Sequence, residues 1–337
     1  MIEIKRCPEN PIVRPGLFPW RRVSAFNPGA IYENGRFYLY ERAAGSLRPF
    51  QTAIGLLASE DGIHFAHLWD EPIFTGAMAG YPKGSVQDAR VVKIDDTFYL
   101  CYAMQPYQMD CRPTGCGVPE YCTRHYPEWR ECAWPMITRS GIAVSRDPVH
   151  FEHLRFVTPP EIDDRDVVLF PEKIGGRFAL LRRPIFRAHP EPGPNAPSIW
   201  ISYSDDLADW TAPRLLARPE RDWEGGKIGA AAPPIKTKWG WLLLYHGVDR
   251  DSVYRVGAML LDLEDPEKVI ARTKRYIMEP EEYYERFGLV IPNVVFPTGA
   301  VLKDGLLYIY YGCADTAIGL ATVPVEELLE HIMNETD

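Results

Sequence analysis

No stretch of this 337-residue chain approaches the roughly 18 apolar residues of a membrane-spanning helix, so a soluble protein is expected. The opening residues, MIEIKRCPENPIVRP, lack the apolar core of a secretory signal, which makes the cytoplasm the expected compartment. Positive charge is in deficit: 37 Lys and Arg stand against 46 Asp and Glu, a net charge of −9. That balance argues against a nucleic-acid partner, which calls for a basic face. There is no GxGxxG after a strand, no GxxxxGK[ST] and no HExxH. A dinucleotide fold, a nucleotide-phosphate loop and a zinc-protease helix are therefore not expected.

Cysteine is sparse outside one segment. Cys7, Cys101 and Cys313 are isolated and expected as buried small hydrophobes. Cys111, Cys116, Cys122 and Cys132 cluster with spacings of 5, 6 and 10, which does not fit the paired CxxC spacing of a zinc site. The odd total of 7 argues against a disulfide framework. No metal is expected, and the segment reads as a functional loop carrying free thiols.

What the chain does have is a repeat. Five times an apolar strand, a short polar turn and a second, aromatic-rich strand follow one another. The copies are Asn27 to Arg42, Asp88 to Met104, Asp166 to Arg183, Ala230 to His246 and Thr298 to Gly312. Anchored on Phe37, Phe98, Phe178, Trp241 and Leu307, they are spaced by 61, 80, 63 and 66 residues. A second strand pair follows each copy, beginning near Ala53, Ser140, Ser198, Arg255 and Ala317, mostly with Asp or Glu beside Gly or Pro in the turn. The expected fold is all-β: a five-bladed β-propeller of four-stranded antiparallel blades, residues 1–337 forming one domain. Hydrophobic residues at 46% and aromatics at 12% suffice for its core. The last copy runs into VPVEELLEHIMNE, expected as an amphipathic helix capping the outer edge. The long second interval holds an insertion, Gln105 to Thr138, rich in Pro, Cys and aromatics, which reads as an ordered lid. A smaller Pro-rich insertion covers Phe186 to Pro197.

In a hairpin the start of the first strand and the end of the second share one edge. That edge collects Asn27, Glu41 and Arg42; Asp88 and Gln105; Arg165, Asp166, Arg182 and Arg183; Lys227 and His246; Asn293 and Asp315. The opposite turns carry ordinary solvated residues such as Glu33, Asn34, Lys236 and Lys303. Singly, Asp88 could cap a turn, one of Arg182 and Arg183 could be merely solvated, and His246 could be a satisfied core histidine. Together they describe an anion site beside a general acid.

These segments resemble glycoside hydrolase family 130, clearest in AFNPGAIYENGRFYLYER, SVQDARVV, VVLFPEKIGGRFALLRRP, KIGAAAPPIKTKWGWLLLYHGVD and PNVVFPTGAVLKDGLLYIYYGCADT. The family comprises five-bladed propellers that cleave β-mannosides, mostly by phosphorolysis. The resemblance implies that Asp88 is the general acid, its proton passing through a mannose hydroxyl. It implies that Arg165, Arg183, Lys227, His246 and Tyr254 hold phosphate, and that Asn27, Arg42, Arg90 and Asp315 contact sugar. The family's EDPR appears here as QDAR, Gln87 to Arg90, which keeps the acid and alters local sugar contacts. The implied activity is an inverting phosphorylase acting on a β-1,2- or β-1,4-mannoside and releasing α-mannose 1-phosphate. It needs no cofactor beyond phosphate as co-substrate, and a homo-oligomer is possible by the same resemblance. One alternative is an inverting β-mannosidase, with Glu224 or Glu172 as base. Another is a non-catalytic sugar-binding propeller.

Overall fold

The computed structural model describes residues 2–106, 138–160, 162–185 and 196–335. Most of the two insertions, with Cys111, Cys116, Cys122 and Cys132, lies outside the described residues. The chain opens with a short strand, β1 (Lys5–Arg6), then builds its blades in order. Blade one is β2 (Ser24–Glu33), β3 (Arg36–Ala44), β4 (Thr52–Ser59) and β5 (Ala66–His67). Blade two is β6 (Ser85–Ile94), β7 (Thr97–Gln105), β8 (Arg139–Ser145) and β9 (Glu152–Phe156). Blade three is β10 (Asp163–Leu169), β11 (Phe178–Ile185), β12 (Ile199–Ser204) and β13 (Arg214–Ala217).

Blade four splits its inner strand into β14 (Lys227–Ala230) and β15 (Ile235–Thr237), followed by β16 (Gly240–Val248), β17 (Tyr254–Leu261) and β18 (Val269–Arg272). The intervening Pro233 and Pro234 cannot donate to the ladder, which accounts for the break. Blade five is β19 (Val295–Lys303), β20 (Leu306–Cys313) and β21 (Ala317–Pro324), and its fourth strand is β1. All pairings within the blades are antiparallel. The expected fold is thus a five-bladed β-propeller, with one correction. The outer edge of blade five is closed by the N-terminal strand, not by the C-terminal helix.

That helix, α2 (Val325–Asn334), follows α1 (Tyr283–Arg286) in the chain. It buries Val325, Leu328, Leu329 and Ile332 in the core shared by blades four and five. Its apolar stripe recurs at three- and four-residue steps, so one face is covered while Glu326, Glu327 and Glu330 stay exposed.

The ring closes because both faces of each blade are apolar. In β16, Leu242 and Leu244 pack toward blade five, while Trp241, Leu243 and Tyr245 pack toward blade three. The run WLLLY is therefore a strand buried on both sides. The same alternation in the other blades yields a separate apolar cluster at each of the five blade-to-blade contacts. Cys101 and Cys313 are buried in two of these clusters, and burial pushes the Cys101 thiol up to about 12. Cys7 is only half-buried, contrary to expectation, because it follows the edge strand β1 where one side meets solvent.

Local sequence sets the two edges. Asn34-Gly35 and Asp304-Gly305 form two-residue hairpins with positive φ at both positions, as the right-handed strand twist favours. Asp61, Asp147, Asp206 and Asp262 each accept two backbone N–H groups in the turn after the third strand. This one Asx device recurs in four blades.

Candidate active site

Four inner strands are interrupted at the same place, that of blade five between Phe296 and Gly299. Pairing skips between Phe26 and Gly29 in blade one, Gln87 and Arg90 in blade two, and Arg165 and Val168 in blade three. The bulged residues Asn27, Asp88 and Asp166 have φ of +43°, +53° and +53°, a left-handed conformation that Asn and Asp tolerate best among non-glycine residues. Each bulge takes its polar side chain out of strand alternation. Strained backbone of this kind concentrates at functional sites.

Asp88 receives two donors on one oxygen. Asn27 Nδ2 lies 2.9 Å and Arg42 Nη1 3.0 Å from Asp88 Oδ1. Oδ2 has no hydrogen-bond partner among the described residues and is the oxygen available to a substrate. Phe26 lies under the Arg42 guanidinium at 4.6 Å, fixing its plane. Gly312 of blade five lets this cluster close: a Cβ there would fall 1.8 Å from Asn27 Oδ1. Two buried polar atoms of this cluster, Asn27 Oδ1 and Arg42 Nε, have no partner among the described residues. Such orphans are rare in a settled core and suit a polyhydroxylated ligand.

Asp166 is surrounded by cations instead. Arg183 Nε donates to Oδ2 at 2.5 Å, Arg90 Nη2 to Oδ1 at 3.4 Å, and His246 Nε2 stands 3.6 Å from Oδ2. Burial presses this carboxyl upward, but the surrounding cations, Arg183 foremost, outweigh it and hold it well below the usual carboxylate range. Gly229 makes the approach possible, since a Cβ there would meet Asp166 Oδ2 at 2.1 Å and His246 Cε1 at 2.4 Å. Burial, aided by Arg183, Lys227 and Arg90 against the pull of Asp166, pushes His246 down to about 3. The ring is neutral at neutral pH. It stacks on Tyr254 at 5.8 Å and meets Phe296 edge-on at 4.7 Å. Lys227 Nζ donates to the Tyr254 hydroxyl at 2.7 Å. Arg165 is oriented by Asp163 through two bonds of 2.9 and 3.0 Å, while remaining within the field of Asp166 and Tyr254.

Arg90 joins the two halves. It donates to the Asp88 carbonyl at 2.8 Å, to the Ala231 carbonyl at 3.1 Å and to Asp166, and its guanidinium sits 5.4 Å from the Phe296 ring. Asn27, Arg42, Asp88, Arg90, Arg183, Lys227, His246 and Tyr254 thus form one connected group, with Arg165 at its margin. Asp315 is buried on the same edge, in the turn between β20 and β21.

Other edge residues serve the scaffold. Arg182 is not solvated: it is buried on Asp164, whose carboxyl burial raises to about 6. Glu41 is buried under Arg21 and His67. Neither proposed hydrolytic base is available. Glu224 is fully buried, accepting from Tyr245, Arg272 and the Glu220 and Arg221 amides. Glu172 is half-exposed at the opposite edge, paired with Lys236. Sequence reasoning placed Asp166 on the edge but gave it no role. It also missed Gly229, Gly312 and Phe296. The signal for Asp166 was present, since it occupies the repeat position of Asn27 and Asp88.

Comparison with known proteins shows the family. A family model described as β-1,4-mannooligosaccharide phosphorylase matches residues 4–114 and 119–335. A 1,2-β-oligomannan phosphorylase of Thermoanaerobacter sp. (strain X514) is 37% identical over 335 residues, covering 97% of this chain and 99% of its own. A β-1,2-mannobiose phosphorylase of the same organism is 38% identical over 342 residues, with the same coverage. The solved β-1,2-mannobiose phosphorylase from Listeria innocua, in complex with β-1,2-mannobiose, superposes with a TM-score of 0.79 at 27% identity, covering 99% of this chain and 100% of that one. With its five-bladed fold and nearly full-length match, the chain belongs to glycoside hydrolase family 130.

Proposed function

We propose that this protein is an inverting β-mannoside phosphorylase acting on β-1,2-linked manno-oligosaccharides and releasing α-D-mannose 1-phosphate. The observation that carries the reading is the asymmetry of the site: one carboxylate with a free oxygen, Asp88, facing a set of fixed cations, Arg183, Arg165 and Lys227. An inverting hydrolase needs a second carboxylate to activate water, about 6.5–9.5 Å from the first. Asp166 is committed to Arg183 and Arg90, and Glu224 and Glu172 are engaged elsewhere. A phosphorylase needs no such base, because phosphate is itself the nucleophile. The β-1,2 linkage is supported by the two relatives at 37% and 38% identity, whose names carry it.

In this mechanism Asn27 and Arg42 hold Asp88 at the sugar. Its proton passes through a mannose hydroxyl to the glycosidic oxygen as the bond from that oxygen to the anomeric carbon breaks. A phosphate oxygen held by the cations bonds to the opposite face of that carbon, converting β to α. Fixed cations and a positioned anion lower the barrier by alignment as well as by charge. Reverse synthesis tests the reading: α-mannose 1-phosphate is offered with a panel of acceptor sugars while phosphate release is followed. Release with mannose or β-1,2-mannobiose as acceptor is expected. No release with any sugar would sink the proposal.

A further inference from the structure

The anion site contains an acceptor among its donors. Arg183, Arg165 and Lys227 can only donate to an oxyanion. His246 differs. The groups facing it come from every surrounding strand: Asp166 of β10, Arg183 of β11, Lys227 of β14, Tyr254 of β17, Arg90 of β6 and the Phe296 ring of β19. Its Nε2 faces the Asp166 carboxylate at 3.6 Å, a negative charge that favours the single proton of a neutral ring on Nε2. Nδ1 is then a lone-pair acceptor, and it is buried with no partner among the described residues. A fully ionised oxyanion needs only donors around it, so a buried acceptor beside these cations implies a ligand that brings its own hydrogen.

We propose that His246 Nδ1 accepts the O–H of a monohydrogen oxyanion, so that the site takes hydrogen phosphate or hydrogen arsenate and rejects sulfate. This rests on the phosphorylase reading of the same site. Sulfate matches phosphate in size and charge but has no proton at neutral pH. Against Nδ1 it would set an oxygen lone pair opposite a nitrogen lone pair, leaving both unsatisfied. Asp166 is then a positioning residue, holding His246 in the tautomer that keeps Nδ1 free.

The test is titration calorimetry of the intact protein with phosphate, arsenate and sulfate at pH 7.5, run beside an assay for mannose 1-phosphate release. Phosphate and arsenate should bind with similar affinity, and sulfate about 10- to 100-fold more weakly, the scale of one unsatisfied buried group. His246→Gln puts an amide that can donate at this position and should bring the sulfate-to-phosphate ratio towards one. Sulfate binding as tightly as phosphate in the wild type overturns the inference, and so does full discrimination in the folded variant. If mannose 1-phosphate is released while sulfate binds equally, the inference falls and the phosphorylase reading stands. If sulfate is rejected but no mannose 1-phosphate is released, the phosphorylase reading falls and the hydrogen-bond assignment at His246 stands.

Discussion

Asp88 and Asp166 occupy the same position in neighbouring blades, both bulged and both at φ +53°. They do different work because their neighbours differ. Asp88 faces an amide and one arginine, keeps one oxygen free and has 14% of its side chain exposed. Asp166 faces Arg183, Arg90 and His246 and has 5% exposed. One carboxylate keeps an oxygen without a partner among the described residues, and the other is consumed in holding cations. The scaffold supplies a repeated place for an acid; the side chains that the flanking strands set against it, Asn27 and Arg42 of blade one for Asp88, Arg183 of its own blade with Arg90 and His246 of the two adjoining blades for Asp166, decide what that acid can do.

Substitutions can separate the two carboxylates from either side. The largest effect is expected for Asp88→Asn, which keeps shape and removes the transferable proton. Turnover should fall at least about 10²- to 10⁴-fold, the usual worth of a general acid, with the melting temperature nearly unchanged. Asp166→Ala should behave in the opposite way. Removing one partner from a buried ion pair costs about 3–5 kcal/mol, so urea denaturation should show a loss of that order. The KM for phosphate should rise more than the KM for the mannoside.

Two glycines extend the contrast. Gly229→Ala drives a methyl into Asp166 and His246, whereas Gly312→Ala drives one into Asn27. Steady-state kinetics should show the first raising mainly the phosphate KM and the second mainly the mannoside KM. Equal effects on both would dissolve the two halves into one.

A further contrast lies in pH-dependent stability. With His246 lowered to about 3 when folded, against an ordinary unfolded value near 6.5, the unfolded chain binds the extra proton between those values. Its contribution is therefore complete above about pH 6.5 and is lost as pH falls toward 3. Replacing His246 by Gln should flatten the melting temperature between about pH 6.5 and pH 4 relative to wild type.

Much of this was legible in the chain because the scaffold is local. The runs WLLLY and YIYYGC show two-sided burial directly, and Asn-Gly and Asp-Gly mark hairpins without tertiary knowledge. The edge residues could be collected by counting from those hairpins. Closure of blade five by Lys5–Arg6 could not be read, because so short a strand carries no periodicity and its partner, near Ala321 and Thr322, lies at the other end of the chain. Nor could the fate of Arg182 and Arg183. They are adjacent and alike, yet one is bound to Asp164 and the other to Asp166, a choice made by strand register. Glu224 was plausible as a base for a similar reason: a buried glutamate and a catalytic one look the same until Tyr245 and Arg272 are seen to hold it.

If the cations around Asp166 hold a phosphate nucleophile for a sugar protonated from Asp88, the reaction cannot run without that anion. Incubating β-1,2-mannobiose with the protein, with and without inorganic phosphate, decides the point. Cleavage should require phosphate and yield α-mannose 1-phosphate and mannose in equal amounts. Undiminished cleavage to free mannose without phosphate would contradict the assignment.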